Sequence, residues 1–449
     1  MASIALALQS IKDNPPGVVD RELVERICRE HGYLWREREL DPATTIALFM
    51  QQVINGNTPC SEVRHFDGRS FTPQAYGQAR ARLPLAVYNT LFHEVHQQIA
   101  PVMSGAAHLW HGHRTFHIDG SSFSMPDTKA LRKAFGTPSG QKEGCGFPTA
   151  HLLVLFNAAT GLLIDIWASP RNTADLAGTS EAHLHMDEGD ILIGDDSFSG
   201  YPHLAMLQKQ GLHGLFPVHH LRIADFKKNR PHCLQGKQAV AGMPRSRWIK
   251  SLGREDQLVE YFKPRQKPPR ISDEDFESMP QSIIVRELRR TVTRPGLGKI
   301  IITLVTTLID PIQYPAEDLL ELRLQRWEVE TKIACLKTTM KMDVLRCKTE
   351  EGVRKELAIF ALVYNLVRMV MLDAARRQGV PVKRVSFIDA YKWMRHARPG
   401  DTLPRLIINP HRPDRLEPRC RKRRPKQYDL MNKPRAKLRK TLKKQRKFA

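Results

Sequence analysis

The stretch from 114 to 220 constrains the fold more than any other. RTFHIDG (114–120) alternates apolar and polar side chains, as a strand buried on one face does, and ends in Asp119. HLLVLFNAATG (151–161) and LLIDIWASP (162–170) predict a hairpin turning at Thr160-Gly161. A helix is expected across 174–185. DILIGDDSF (190–198) is a buried-strand pattern ending in Asp195 and Asp196. Residues 201–210 predict a helix stopped by Gly211, and GLFPVHH (214–220) another short strand. Strand, strand, strand, helix, strand, helix, strand is the order of an α/β core, a mixed sheet with flanking helices. Asp119 and Asp195 each finish an apolar strand, where a sheet presents side chains to a ligand.

Other elements surround this core. Residues 1–105 read as a helical N-terminal domain. Within it FTPQAYGQARARLP (71–84) has a Thr72 cap, a short helix carrying Arg80 and Arg82, and a stop at Pro84. Such a helix either enters a DNA groove or is a plain surface helix. Residues 106–220 form the first part of the core. Residues 221–313 are rich in Lys, Arg, Pro and Gly with short alternating runs, a β-rich insertion that closes on the strand KIIITLVTTLID (299–310). Residues 314–395 return to the core with two long helices, the second across 349–377. From 396 to 449 the chain is Pro- and Arg-rich and reads as a basic tail, ordered only on DNA if at all.

The first of those helices, EDLLELRLQRWEVETKIACLKTTMK (317–341), contains no Gly or Pro. At 100° per residue Arg326, Glu330 and Lys337 fall within about 40° of one another, with Arg323 and Lys341 on the same stripe. Glu328 points to nearly the opposite side. Alone, this is a solvated face with an i,i+4 ion pair. Together with Asp119 and Asp195 it becomes a third carboxylate, Glu330, set among phosphate-binding cations. Three carboxylates from separate elements suit two Mg²⁺ or Mn²⁺ ions, hard cations that take oxygen ligands. Two such ions serve phosphodiester chemistry. Adjacent strand residues face opposite ways, so only one of Asp195 and Asp196 points at the site unless the chain turns there.

Charge agrees. The 449 residues carry 70 Lys+Arg against 47 Asp+Glu, a formal +23, which favours a polyanion such as nucleic acid. Residues 411–449 hold 17 Lys+Arg and 3 Asp+Glu, so the remainder is basic too. Seven cysteines without a C-x-x-C pair argue against a disulfide framework or zinc ribbon and for a reducing cytosol. The apolar run 357–372 contains Asn365 and Arg368 and reads as a buried helix, with no membrane partner expected. His111, His113 and His117, or His183 with His185, lack a fourth ligand at zinc spacing.

HIDGSSF, DILIGDDSF and RWEVETKIACLK together resemble the three acidic blocks of bacterial insertion-sequence DDE transposases, and the element order resembles an RNase H-like fold. The match is to the branch with a β-strand insertion before the glutamate, whose signature is Tyr, two residues, Arg, three, Glu, six, Lys. Arg326, Glu330 and Lys337 keep the last two intervals, and Arg323 stands at the Tyr position. The resemblance implies Asp119, Asp195 and Glu330 as catalytic metal ligands for two Mg²⁺ or Mn²⁺ ions, and Arg323, Arg326, Lys337 and Lys341 as phosphate contacts. It implies cut-and-paste transposition in a bacterial cytoplasm. Terminal inverted repeats of double-stranded DNA are paired by a homodimer, and the freed 3′-OH, commonly after a hairpin step, joins target DNA. A flipped base in such a step stacks on an aromatic residue of the insertion. Trp248 is the candidate, against an ordinary core role for it. The alternatives are a hydrolytic nuclease of the same fold and a catalytically silent nucleic-acid-binding protein.

Overall fold

The computed structural model describes residues 20–445 apart from 67–69, 139–141, 143, 172–178, 234–241, 269–270, 295–297, 398–400 and 411–432. It is a mixed α/β structure organised on one nine-stranded sheet, ordered β3-β2-β1-β4-β5-β9-β8-β7-β6. Strands β1 (Thr115–Ser124), β2 (Thr149–Asn157) and β3 (Leu163–Pro170) form an antiparallel meander. Strands β4 (Ile191–Ile193) and β5 (His213–Pro217) run parallel to β1. Strands β6 (Ser246–Gly253), β7 (Asp256–Phe262), β8 (Ser282–Arg294) and β9 (Gly298–Thr306) are antiparallel, and β9 pairs with β5. The alternating runs expected after residue 220 therefore extend the same sheet.

Both faces of the central strands β1, β4 and β5 are covered. Ile191, Ile193 and Leu215 pack with Leu319 and Leu322 of helix Ala316–Leu324 on one face. On the other, Phe116 and Leu192 join Phe198, Leu204 and Phe216 in the main core. The helix Glu350–Gln378 is long and apolar enough to cross a membrane by composition, yet 94% of its most apolar window is buried in this fold. Its polar residues are tied inside. Asn365 accepts from Leu163 N and donates to Leu163 O, both at 2.8 Å, and Tyr364 donates to Gly161 O at 3.0 Å. Gly161 has φ +72, and a Cβ there would lie 2.3 Å from Arg368 Nη2. The hairpin tip is glycine because that guanidinium lies across it.

Of the N-terminal helices, Pro42–Ile54 and Leu85–Ile99 pack on this same core helix, Arg21–Glu30 packs on those two, and Pro73–Arg82 packs on Pro42–Ile54. Glu356 accepts from Asn57 Nδ2 at 2.7 Å and from Cys347 N at 2.9 Å, fastening the two parts. Arg80 corrects one expectation. It is only 8% exposed, donates to Gln52 Oε1 at 2.9 Å and Cys347 Sγ at 2.8 Å, and lies 3.5 Å from the Phe49 ring centroid. It cannot read a groove; Arg82 alone of the pair faces outward.

A second correction concerns the expected single helix over 317–341. The chain forms Ala316–Leu324, then Trp327–Ala334, then a π turn over Cys335–Thr339. Arg326 N bonds to Arg323 O, Glu328 N to Gln325 O and Val329 N to Arg326 O, so the junction is wound three residues per turn. Tight winding followed by wide winding breaks a stripe computed at 100° per residue. Lys341, with φ +69, is off the helix altogether. It lines an open cavity of about 780 Å³ with Gly56, Asn57, Ser124 and Phe147. In the tail, Arg435–Gln445 is helical and Arg435 lies over the Phe147 ring; the expectation for 411–432 falls outside the described residues.

Candidate active site

His117 pairs with Ile193, the last residue of β4, and Asp119 and Asp195 each lie two residues further on, so the parallel register carries both toward the same end of the sheet. Side chains two apart share a face, so Asp119 lies on the His117 side, which the helices after β9 cover. Asp195 ends β4 by capping a 3₁₀ turn over Asp196–Phe198. Its Oδ1 accepts from Ser197 N at 2.9 Å and Ser197 Oγ at 2.5 Å. The chain does turn here, so Asp195 and Asp196 are not confined to opposite faces. Gly194 permits the turn: a Cβ there would lie 2.7 Å from the Phe198 ring and 3.1 Å from Ile118 Cγ2.

The Glu330 segment brings cations to β1. Arg326 Nη1 lies 3.7 Å from Asp119 Oδ2. Lys332 Nζ is 3.4 Å from His117 Nδ1 and donates to Ala158 O at 3.1 Å. Lys337 Nζ donates to Ser121 Oγ at 3.1 Å, an orientation set by the π turn. His117, Asp119 and Ser121, successive residues on one face of β1, each meet a cation from this segment. Burial pushes the Lys332 ammonium down to about 7, partly offset by Glu328. Burial and the charges of Lys332, Arg326 and Arg323 hold His117 well below the usual imidazole range, so it is neutral. Val329 and Ile333 are buried and fix the rotation of Trp327–Ala334. Turning either out would cost about 1.5–3 kcal/mol.

Arg323 also feels the charges of the acidic edge. Burial first, then Arg326, pushes its guanidinium down to about 10, while Asp195, Asp119 and Asp196 oppose the shift. Its buried Nε has no hydrogen-bond partner among the described residues, and neither has that of Arg326. Two guanidiniums thus sit at the carboxylates with donors unspent. Glu330 is exposed on Trp327–Ala334, whereas Glu328 lies 3.7 Å from Lys383 Nζ, away from the aspartates. Asp119, Asp195 and Glu330 do not gather tightly. Among the described residues the group of three donors with all ligand atoms within 4.8 Å is Asp196, His219 and His220.

That group escaped the sequence reading. The signal was present: the histidines follow β5, which lies beside β4, so they arrive at the edge where Asp196 sits. Burial raises the Asp196 carboxyl, but hydrogen bonds from the His220 ring and backbone and the charge of His219 outweigh it, and its pKa ends low. The histidines set aside earlier serve other purposes. His113 bonds to Gly189 O and Tyr314 Oη, and His183 Nε2 stands 3.0 Å from His203 Nε2. Trp248 is on β6, the edge strand, five strand spacings or about 24 Å along the sheet from β4. It is half-buried, and its indole nitrogen has no partner among the described residues.

Residues 110–366 match the profile described as a transposase DDE domain. The InsG transposase of insertion sequence element IS4 from Escherichia coli (strain K12) is 25% identical over 456 residues, spanning 91% of this chain and 92% of that protein. Among solved structures, a piggyBac transposase synaptic complex with hairpin DNA aligns with 87% of this chain and 79% of its own. That alignment has a TM-score of 0.41 at 10% identity, too weak to bear on the site. The profile covers more than half of the chain and contains β1, β4 and the Glu330 segment, and on that match the protein belongs to the DDE transposases of insertion sequences.

Proposed function

We propose that this chain is a cut-and-paste DNA transposase with an RNase H-like catalytic unit, in which Asp119, Asp195 and Glu330 hold two Mg²⁺ or Mn²⁺ ions. The observation that carries the reading is the parallel β1–β4 register, which runs toward Asp119 and Asp195, with Arg326, one turn before Glu330, against Asp119. The antiparallel β3-β2-β1 meander continued by parallel β4 and β5 supports the RNase H-like assignment. The donor set is all oxygen, which fits hard divalent cations. Glu330 is the exposed member and completes the set from its helix. The ions supply Lewis-acid activation of the attacking oxygen and stabilisation of the leaving one.

The chain's own cations do the rest. Arg323 and Arg326 lie at the carboxylate edge, and Lys337 meets β1 two residues further along the same face. Directed at non-bridging phosphate oxygens, they offset charge that spreads over the phosphoryl group in the transition state. In the first step water attacks the scissile phosphorus and the 3′-oxygen departs with a proton as the 3′-OH. In the second, that hydroxyl loses its proton and attacks a phosphodiester of the target, and the target strand's own 3′-oxygen departs with a proton as a new 3′-OH. Lys341 lines the cavity beside β1, Arg435 lies over the Phe147 ring that also lines it, and the two extend the basic path for duplex DNA. Two protomers pair two terminal inverted repeats. Trp248, on its edge strand, is the proposed stacking platform for a base of a DNA end. The domain limits expected from sequence (1–105, 106–220, 221–313, 314–395 and 396–449) describe the proposed division of labour.

The test is a terminal-repeat duplex, uncut or pre-cut, incubated with Mg²⁺ and a supercoiled target. Cleavage at the repeat end and joining of the pre-cut 3′-OH to target are expected. Cleavage without joining would make the protein a nuclease, and binding without either a silent DNA-binding protein.

A further inference from the structure

We propose that Asp196, His219 and His220 form a transition-metal site of the Zn²⁺ class, separate from the carboxylates that serve phosphoryl transfer. The inference does not rest on the transposition reading. It rests on two strand ends being brought together. Ile191, Leu192 and Ile193 of β4 pair in parallel with His213, Gly214 and Leu215 of β5. β4 ends at Ile193 and β5 at Pro217, so Asp196, in the turn after β4, and His219 and His220, just past β5, leave from the same end of the paired strands and meet there.

The three side chains offer ligand atoms within 4.8 Å of one another, and His220 Nδ1 is already 3.2 Å from Asp196 Oδ2. Around a tetrahedral ion, ligands about 2.1 Å from the metal lie roughly 3.4 Å apart, so closure needs side-chain shifts of about an ångström. The backbone on both sides is held. Asp196 opens a 3₁₀ turn capped by Asp195, Ser199 Oγ donates to Asp196 O at 2.8 Å, and Arg222 N donates to His219 O at 2.8 Å. Val218 N donates to Thr303 O of β9 at 2.9 Å, anchoring the histidines from the other neighbour.

Ligand chemistry chooses the ion. Two imidazoles and one carboxylate favour Zn²⁺, Co²⁺ or Ni²⁺ and disfavour Mg²⁺, which prefers oxygen and keeps its waters. This separates the site from its neighbour one residue away, where the donors are all carboxylate. His220 is exposed, which leaves the remaining coordination to water. Leu221 N donates to His219 Nδ1 at 3.2 Å. An ion taken at His219 Nε2 requires the other tautomer and breaks that contact, so loading couples to the 219–222 turn. A bound ion ties the end of β4 to the end of β5 and neutralises Asp196, one of the three carboxylates acting on Arg323.

Co²⁺ added to the full chain in excess Mg²⁺ tests the site through its visible absorption. The expected result is one tightly held Co²⁺ per chain with tetrahedral-type bands, retained in Asp119→Asn/Glu330→Gln. His219→Gln/His220→Gln should lose the bands, and Asp196→Asn should weaken binding at least tenfold. His220→Gln alone changes a side chain 70% exposed, cannot compromise folding, and should also cost at least tenfold. Absence of bands in the wild type, or bands unchanged in the histidine variants, overturns the proposal. Bands lost in Asp119→Asn/Glu330→Gln overturn it as well, because the ion would then be in the carboxylate site.

Discussion

Arg323→Ala tests whether the cations at the acidic edge compensate charge or merely fill space. Asp119, Asp195 and Asp196 all act on Arg323, and Arg326 is the other guanidinium at hand. Removing one partner of a fully buried ion pair costs about 3–5 kcal/mol. Here Arg326 remains and the edge is partly open to water, so the loss should be about 1–2 kcal/mol. That loss should depend on metal. A ligand at 100 times its Kd stabilises the folded state by about 2.7 kcal/mol, and ions at the aspartates supply the positive charge that Arg323 supplied. Urea unfolding in EDTA should therefore show the full loss. In saturating Mg²⁺ the gap to wild type should fall below about 0.5 kcal/mol, since the variant no longer sets a guanidinium against ion entry. Arg323→Met, which keeps the apolar stem, should behave like Arg323→Ala. An equal loss with and without Mg²⁺, or a loss in Ala but not in Met, would refute the electrostatic account and make Arg323 a packing residue.

Other variants probe the remaining assignments. Glu330→Gln should reduce Mg²⁺-dependent cleavage of a terminal-repeat duplex by about a thousandfold or more, while Glu328→Gln, beside Lys383, should stay within about threefold of wild type. Equal losses in the two would misplace the third carboxylate. Arg80→Ala should cost about 2–4 kcal/mol in urea unfolding, because it strips donors from Gln52 and Cys347, and should leave the salt slope of DNA binding unchanged. A reduced slope would restore Arg80 as a DNA contact. Gly161→Ala should lower stability by about 2–4 kcal/mol through positive φ and the collision with Arg368. Full-length protein should lose DNA affinity steeply as salt rises, and removal of 411–449, with its 17 Lys+Arg, should flatten log K against log salt. A flat line for the intact chain would exclude phosphate contacts as the source of binding.

The core was legible because burial writes itself into periodicity. β1, β2, β3, β4 and β5 fall where alternation or continuous apolar runs put them, since each side chain on a strand either meets a covering helix or does not. Asp119 and Asp195 were picked out as charged residues closing apolar runs; Asp195 does follow the end of β4, but β1 continues to Ser124, so Asp119 lies in mid-strand and the expected terminus there is corrected. Arg80 was misread because a helix of mixed polarity does not announce which of its cations finds buried partners. Gln52 and Cys347 are 28 and 267 residues away.

By itself, the sequence determined the order of elements, the three acidic blocks and the basic balance, all properties of local pattern or composition. Only the tertiary structure decided the register that carries Asp119 and Asp195 toward the same end of the sheet, since a parallel pair is fixed by packing between distant strands. It decided that the Glu330 segment is two helices and a π turn, because each piece follows the surface it packs on and not an ideal 3.6-residue period. And it brought His219 and His220 to Asp196, a meeting across two strand ends that no local spacing encodes.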